Sequence, residues 1–234
     1  MARRLFIAAA LLASAVSFAS SANALTITIS GGESPTFPPA FTVLASGGSP
    51  VTLLPTVCCG ATDSFTVSGS ATGTPPLSSG HLITDTIDIN STGPGTLFLW
   101  VTETGLTSPV GTVSWKSGLT SNLLEGSISS VTLSTFLSPS DGVAPPDGTQ
   151  LATATFTDVG TSVSSFVDNP GAGPYSIQEV FVVHATGAGD TNLTIDLVGT
   201  TVPELSTWAM MGLGFAFLGF VGYRTTRKPV SVEV

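Results

Sequence analysis

Leu193-Thr194-Ile195-Asp196-Leu197 decides the fold. Three apolar side chains alternate with two polar ones, so Leu193, Ile195 and Leu197 share one face of a strand and Thr194 and Asp196 the other. The same period recurs upstream. Ala152, Ala154 and Phe156 oppose Thr153, Thr155 and Thr157; Val131 and Leu133 flank Thr132; Val113 and Trp115 flank Ser114. Phe65 and Val67 alternate with Thr66 and Ser68, and Leu25, Ile27 and Ile29 with Thr26 and Thr28. Apolar residues on one face and hydroxyls on the other mark half-buried antiparallel strands. Leu97–Val101 and Val180–Val183 are apolar on both faces and predict central strands covered on both sides.

Turn-forming clusters separate these runs: Gly31-Gly32, Gly47-Gly48-Ser49-Pro50, Gly73-Thr74-Pro75-Pro76, Asp141-Gly142, Pro145-Pro146-Asp147-Gly148 and Asn169-Pro170-Gly171. No stretch of the body has sustained helical periodicity with caps, and no fixed-period repeat suggests a solenoid. The pattern predicts an all-β fold, an antiparallel β-sandwich of about eight to ten strands, Ig-like or jelly-roll-like. It forms one body over 25–201, with Val198–Val202 as a short linker.

Charge narrows the function. Leu25 to Thr201 holds one lysine, Lys116, against thirteen Asp and Glu, a formal −12. One ammonium cannot neutralise a polyanion, so nucleic acid is excluded as a partner.

The two ends read as addresses. Arg3 and Arg4, the apolar run Leu5–Val16 and the small-x-small site Ala22-Asn23-Ala24 form a secretory signal over 1–24. Signal peptidase and the export machinery are thereby implied, with cleavage after Ala24. Arg3-Arg4-Leu5-Phe6 half-matches a twin-arginine signal, so either export route is open. At the other end, Leu205–Tyr223 is uncharged, and as a helix it would run ~28 Å, close to a bilayer's hydrocarbon thickness. Trp208 and Tyr223 stand near its ends, where aromatic rings favour the interface. Arg224, Arg227 and Lys228 follow as a stop-transfer cluster that stays cytoplasmic, with 229–234 as a short cytoplasmic end.

The tail Val202-Pro203-Glu204-Leu205-Ser206-Thr207-Trp208-Ala209-Met210-Met211, continued by Gly212–Tyr223 and Arg224, resembles a PEP-CTERM sorting signal. Such signals combine a Pro-Glu-Pro box, a transmembrane helix and a basic tail. They end exported proteins of Gram-negative bacteria that also make extracellular polysaccharide. The resemblance, confined to residues 202–228, implies Val202, Pro203 and Glu204 as the recognition box of an exosortase-like membrane enzyme. The sequence departs from the pattern at Leu205, where the second proline is expected.

Candidate chemistry in the body is sparse, and the sequence implies no cofactor and no metal. Cys58 and Cys59 are the only cysteines. A strained vicinal disulfide, unpaired thiols and an intermolecular bond are all open readings, since adjacent Cα atoms lie closer than in ordinary disulfides. His81 reads as a surface residue. His184, which alternates with Val182 and Val180, reads as buried and hydrogen-bonded. No Gly-x-Ser-x-Gly elbow surrounds a serine. Asp85 falls on the apolar face of Ile83, Ile87 and Ile89, an inward placement that a bulge or edge would relieve. Asp141-Gly142 and Asp147-Gly148 fit turn chemistry, with Ca²⁺ as the rival reading.

These readings converge on a non-catalytic exported protein of the cell surface or extracellular matrix. It is sorted by its tail through the inner membrane and associated with exopolysaccharide. Trp100 or Trp115, if exposed on a groove, would favour sugar stacking. A secreted carbohydrate-active hydrolase and an ice- or crystal-surface binder built on Thr26/Thr28, Thr84/Thr86 and Thr153/Thr155 are the alternatives.

Overall fold

The computed structural model describes residues 26–32, 42–58, 64–142, 148–203 and 205–226. The signal segment with Ala22 and Ala24, Cys59, Asp147, Glu204, Arg227 and Lys228 lie outside the described residues, and only the backbone of Arg224 is described. Within them the alternating segments form ten strands and the apolar tail one helix. The strands are β1 (Thr26–Gly32), β2 (Thr42–Gly47), β3 (Val51–Cys58), β4 (Phe65–Thr72), β5 (His81–Ser91), β6 (Pro94–Leu106), β7 (Val113–Ser138), β8 (Thr149–Phe156), β9 (Gly160–Asp168) and β10 (Tyr175–Thr201). The helix is α1 (Leu205–Thr226).

Two long strands organise the body. β7 has 26 residues and β10 has 27, and they pair antiparallel from Ser176↔Ser138 to Thr201↔Val113. The first half of β10 also pairs with β6, and the facing half of β7 with β8. The second half of β10 pairs with β5, and the facing half of β7 with β9. One ribbon therefore serves two sheets: β2-β1-β6-β10-β7-β8 and β3-β4-β5-β10-β7-β9. Contacts between the inner faces close them into a sandwich. The Ser117 and Thr135 hydroxyls meet at 2.7 Å, and the Trp115 and Tyr175 rings meet edge to face at 6.3 Å. The core between the sheets is filled by Leu97, Leu99 and Val101 of β6, Phe181 and Val183 of β10, and Ile87 and Ile89 of β5.

The ribbon passes from sheet to sheet beside Gly126, whose φ is 67°. A Cβ there would lie 2.7 Å from the Ala188 carbonyl oxygen and the Gly189 Cα. Gly126→Val is therefore expected to lower stability by about 2 kcal/mol or more, the cost of a left-handed β-branched residue plus a backbone clash. Calorimetry checks this, and an unchanged Tm would show that the crossing does not depend on this glycine.

The antiparallel all-β expectation holds, and β6 and β10, which contain the two runs apolar on both faces, each have strand neighbours on both sides. Several details differ. Val113–Trp115 and Val131–Leu133 belong to one strand, as do Val180–Val183 and Leu193–Leu197. Gly31-Gly32 ends β1 rather than forming a turn. Val198 to Thr201 is strand, not linker, and the Val202 amide still donates to the Thr112 carbonyl at 2.8 Å.

Asp85 is exposed, not inward. Thr86 adopts φ 57°, and the pairing of β5 with both neighbours slips near this point. Before the bulge Leu82 and Thr84 face the core; after it Ile87, Ile89 and Ser91 do. The extra residue changes the parity and turns Asp85 to water. Gly69 opposite lets the bulge approach, since a Cβ there would sit 2.7 Å from the Thr86 carbonyl oxygen.

Candidate functional site on the outer face of the second sheet

Successive side chains of a strand point to opposite faces, so the residues between the core positions of β7, β10 and β5 form one solvent-facing surface. Register places Ser165, Lys116, Val198 and His81 in one cross-strand row, and Val163, Gly118 and Asp196 in the next. A depression of about 510 Å³ lies over β9, β7 and β10 here. Gly118 leaves its floor open; an added Cβ would meet nothing nearer than Asp196, at 3.9 Å. The His81 Nε2 and Asp196 Oδ1 are 2.9 Å apart, with the two side chains 23% and 48% exposed. Lys116 is exposed and has no ion pair among the described residues.

Further along the same face is a second depression of about 330 Å³, over β4, β5, β10 and β7. Asp88, Asp190 and Glu125 line it, with Thr66, Ser68 and Asn90. Its polar side chains hold one another in place. Asn192 Nδ2 donates to Asp88 Oδ1 at 2.6 Å and Asn90 Nδ2 to Asp190 Oδ1 at 2.7 Å. Asn122 Nδ2 donates to Asn192 Oδ1 at 2.9 Å and to Thr194 Oγ1 at 3.0 Å, which carries the polar row back toward Asp196. Side chains fixed in this way lose little rotamer freedom when a ligand arrives.

Several expected placements change. Trp100 and Trp115 are 3% and 0% exposed, so neither is a stacking surface in a groove. His184 is exposed, not buried; its Nδ1 lies 2.9 Å from Thr96 Oγ1. His81 pairs with Asp196, and Ser114 and Ser165 line the same depression as Asp196. Among the described residues no serine hydroxyl hydrogen-bonds to His81. The threonine pairs do not share a surface: Thr84 is fully buried and Thr86 sits at the bulge. Asp141, with φ 56°, accepts from the Gly105 amide at 2.7 Å and serves a turn. Among the described residues no group of three His, Cys, Asp or Glu is placed to hold a metal. Cys58 is disulfide-bonded.

Two acids escaped the sequence reading. Glu103 and Glu179 are both fully buried between the sheets. Burial pushes the Glu103 carboxyl up from 4.5 to about 7, against the opposing hydrogen bond from the Thr74 amide at 2.7 Å. Burial also raises Glu179 well above the usual carboxylate range, against the opposing pull of the Thr84 hydroxyl. Burial, with the Glu103 charge adding to it, raises the Tyr175 phenol. The signal was available. Glu103 continues the parity of Leu97, Leu99 and Val101, and Glu179 that of Phe181 and Val183.

Beyond the sandwich, Val202 and Pro203 are exposed directly after β10. In α1 the exposed apolar side chains include Trp208, Leu213, Phe215, Phe217, Leu218 and Tyr223. Among the described residues no helix is long and apolar enough to cross a membrane.

No family model matches the chain, and no curated protein matches it. Among solved structures it is similar to TmCBM61, a carbohydrate-binding module in complex with β-1,4-galactotriose, at 12% identity and a TM-score of 0.28, over 57% of this chain and 86% of that one. It is similar to the enzymatically active domain of bacteriophage CBA120 tailspike protein 4 at 14% identity and a TM-score of 0.28, over 58% of this chain and 19% of that one. The infectious bursal disease virus Gx strain structure gives 14% identity and a TM-score of 0.27, over 79% of this chain and 53% of that one. Likenesses this slight bear on neither ligand nor activity.

Proposed function

We propose that this chain is an exported, tail-anchored, non-catalytic surface or matrix protein that holds polysaccharide on the outer face of its second sheet. The observation that carries the binding part is the pair of depressions, about 510 and 330 Å³, on one sheet face, the second lined by carboxylates that the Asn192 and Asn90 amides hold in place. Their size suits small-molecule units such as single sugars. Amide, carboxylate and hydroxyl groups match the alternating donors and acceptors of sugar hydroxyls. The address rests on the ends: cleavage after Ala24, Val202–Glu204 as the box of an exosortase-like enzyme, and α1 as the anchor with Arg224, Arg227 and Lys228 inside. The run Leu205–Tyr223 carries no charged residue, and the exposed Leu213, Phe215, Phe217 and Leu218 support an apolar surround for it.

Fractionation tests the anchor. The exported chain is expected with membranes, and deletion of residues 202–228 is expected to release it as a soluble acidic protein. Phe215→Asp is expected to weaken insertion, at a cost of ~2.5–3.5 kcal/mol for a charge near a helix centre. A deletion variant that still sediments with membranes overturns the anchor. A glycan array of the full chain tests the binding part. A second reading, a hydrolase, is favoured only by the His81–Asp196 contact. A glycan hydrolysis that His81→Ala abolishes in a folded protein would replace the non-catalytic reading.

A further inference from the structure

We infer that the two depressions are one extended site for a linear, uncharged polysaccharide lying along β10. This rests on the proposed glycan binding and specifies its ligand. Both depressions use side chains from β7 and β10 on the same sheet face. Asp196 lines one and Asp190 the other, six strand positions apart, or ~20 Å at the rise of a strand. The span between them is not bare. Thr194 and Asn192, linked through Asn122, bridge it with hydrogen-bonding groups. A ligand unit confined to one depression would leave these groups unused, whereas a chain along the strand meets them in sequence.

Charge selects the polymer. Asp88, Asp190 and Glu125 line one end; Asp196 lines the other, beside Lys116, the body's single cation. A polyanion would meet four carboxylates for one ammonium, which repels it. The carboxylates of Asp88 and Asp190 are already held by the Asn192 and Asn90 amides. They present acceptors to hydroxyl groups, with Lys116, Ser165 and Thr200 as donors at the other end.

The test is calorimetric titration of the full chain in detergent with uncharged glucan, mannan and galactan ladders from disaccharide to octasaccharide. Affinity is expected to climb with length until both depressions are spanned, then level off. Lys116→Ala and Asn192→Ala are each expected to weaken the longest ligand about tenfold, on the order of one lost hydrogen bond to a charged or fixed group. A disaccharide, held at one end, is expected to lose affinity to only one of the two substitutions. Far-ultraviolet circular dichroism of both variants should match the parent, as both side chains are on the solvent face. Glycan binding with no length dependence, or sensitive to only one substitution at every length, overturns the extended site and leaves the proposed function standing. Binding of polylysine or of an acidic glycan in place of every uncharged ladder overturns the ligand class. Binding of no glycan at all removes the proposed function as well.

Discussion

Trp115→Ala is expected to destabilise the fold by about 3–5 kcal/mol, the usual cost of deleting a large core aromatic. Trp115 is fully buried and projects from the half of β7 that belongs to the second sheet. Its ring meets that of Tyr175, at the start of the half of β10 that belongs to the first sheet, at 6.3 Å and 83°. Tyr175 in turn donates its hydroxyl to the Pro109 carbonyl at 3.0 Å. The indole therefore joins both sheets and the loop before β7. Its surroundings are shaped for it: a Cβ on Gly199 would lie 2.5 Å from the ring. Indole Nε1 has no hydrogen-bond partner among the described residues, so the loss is one of packing. Urea unfolding should show a lower midpoint at an unchanged slope. Gly199→Ala, which pushes into the same ring, is expected to cost about 1–3 kcal/mol. A Trp115→Ala change below about 1 kcal/mol would mean that the ring does not join the sheets.

Raising the pH from about 5 to about 8 is expected to destabilise the protein by on the order of 3 kcal/mol through Glu103 alone. The unfolded chain titrates this carboxyl near 4.5, the folded one near 7. The folded state thus holds the proton more tightly. Its contribution is complete below pH 4.5 and is lost as the pH rises through about 7. Glu179, raised by burial, works in the same direction. Glu103→Gln keeps the acceptor for the Thr74 amide and removes the titration, so its melting temperature should vary less across this range. A parent protein as stable at pH 8 as at pH 5 would refute the raised Glu103 value.

The alternation of single strands was legible because each apolar side chain that faces the core is separated from the next by one that faces water. What was not legible was where one strand stopped. Gly187, Gly189 and Gly126 resemble turn signals, yet here they let β7 and β10 continue from one sheet into the other. Periodicity also fails wherever a bulge changes the parity, as Thr86 does for Asp85. The polar face could not be found from any local motif. Lys116, Asp196 and His81 come from three strands and meet only through register. Trp100 and Trp115 follow their apolar runs into the core, so the condition for sugar stacking on them is not met.

The shared strand β10 also fixes the order in which the body can be completed. It pairs with β5, β6 and β7, yet among the described residues it is the last strand in chain order. As the polypeptide emerges from amino to carboxyl end, β3, β4 and β5 can associate, and so can β7, β8 and β9. Neither group has its central neighbour until residues 175–201 arrive. The chain must therefore remain open through most of its synthesis. It then closes both sheets at once, by long-range pairing of the slow kind.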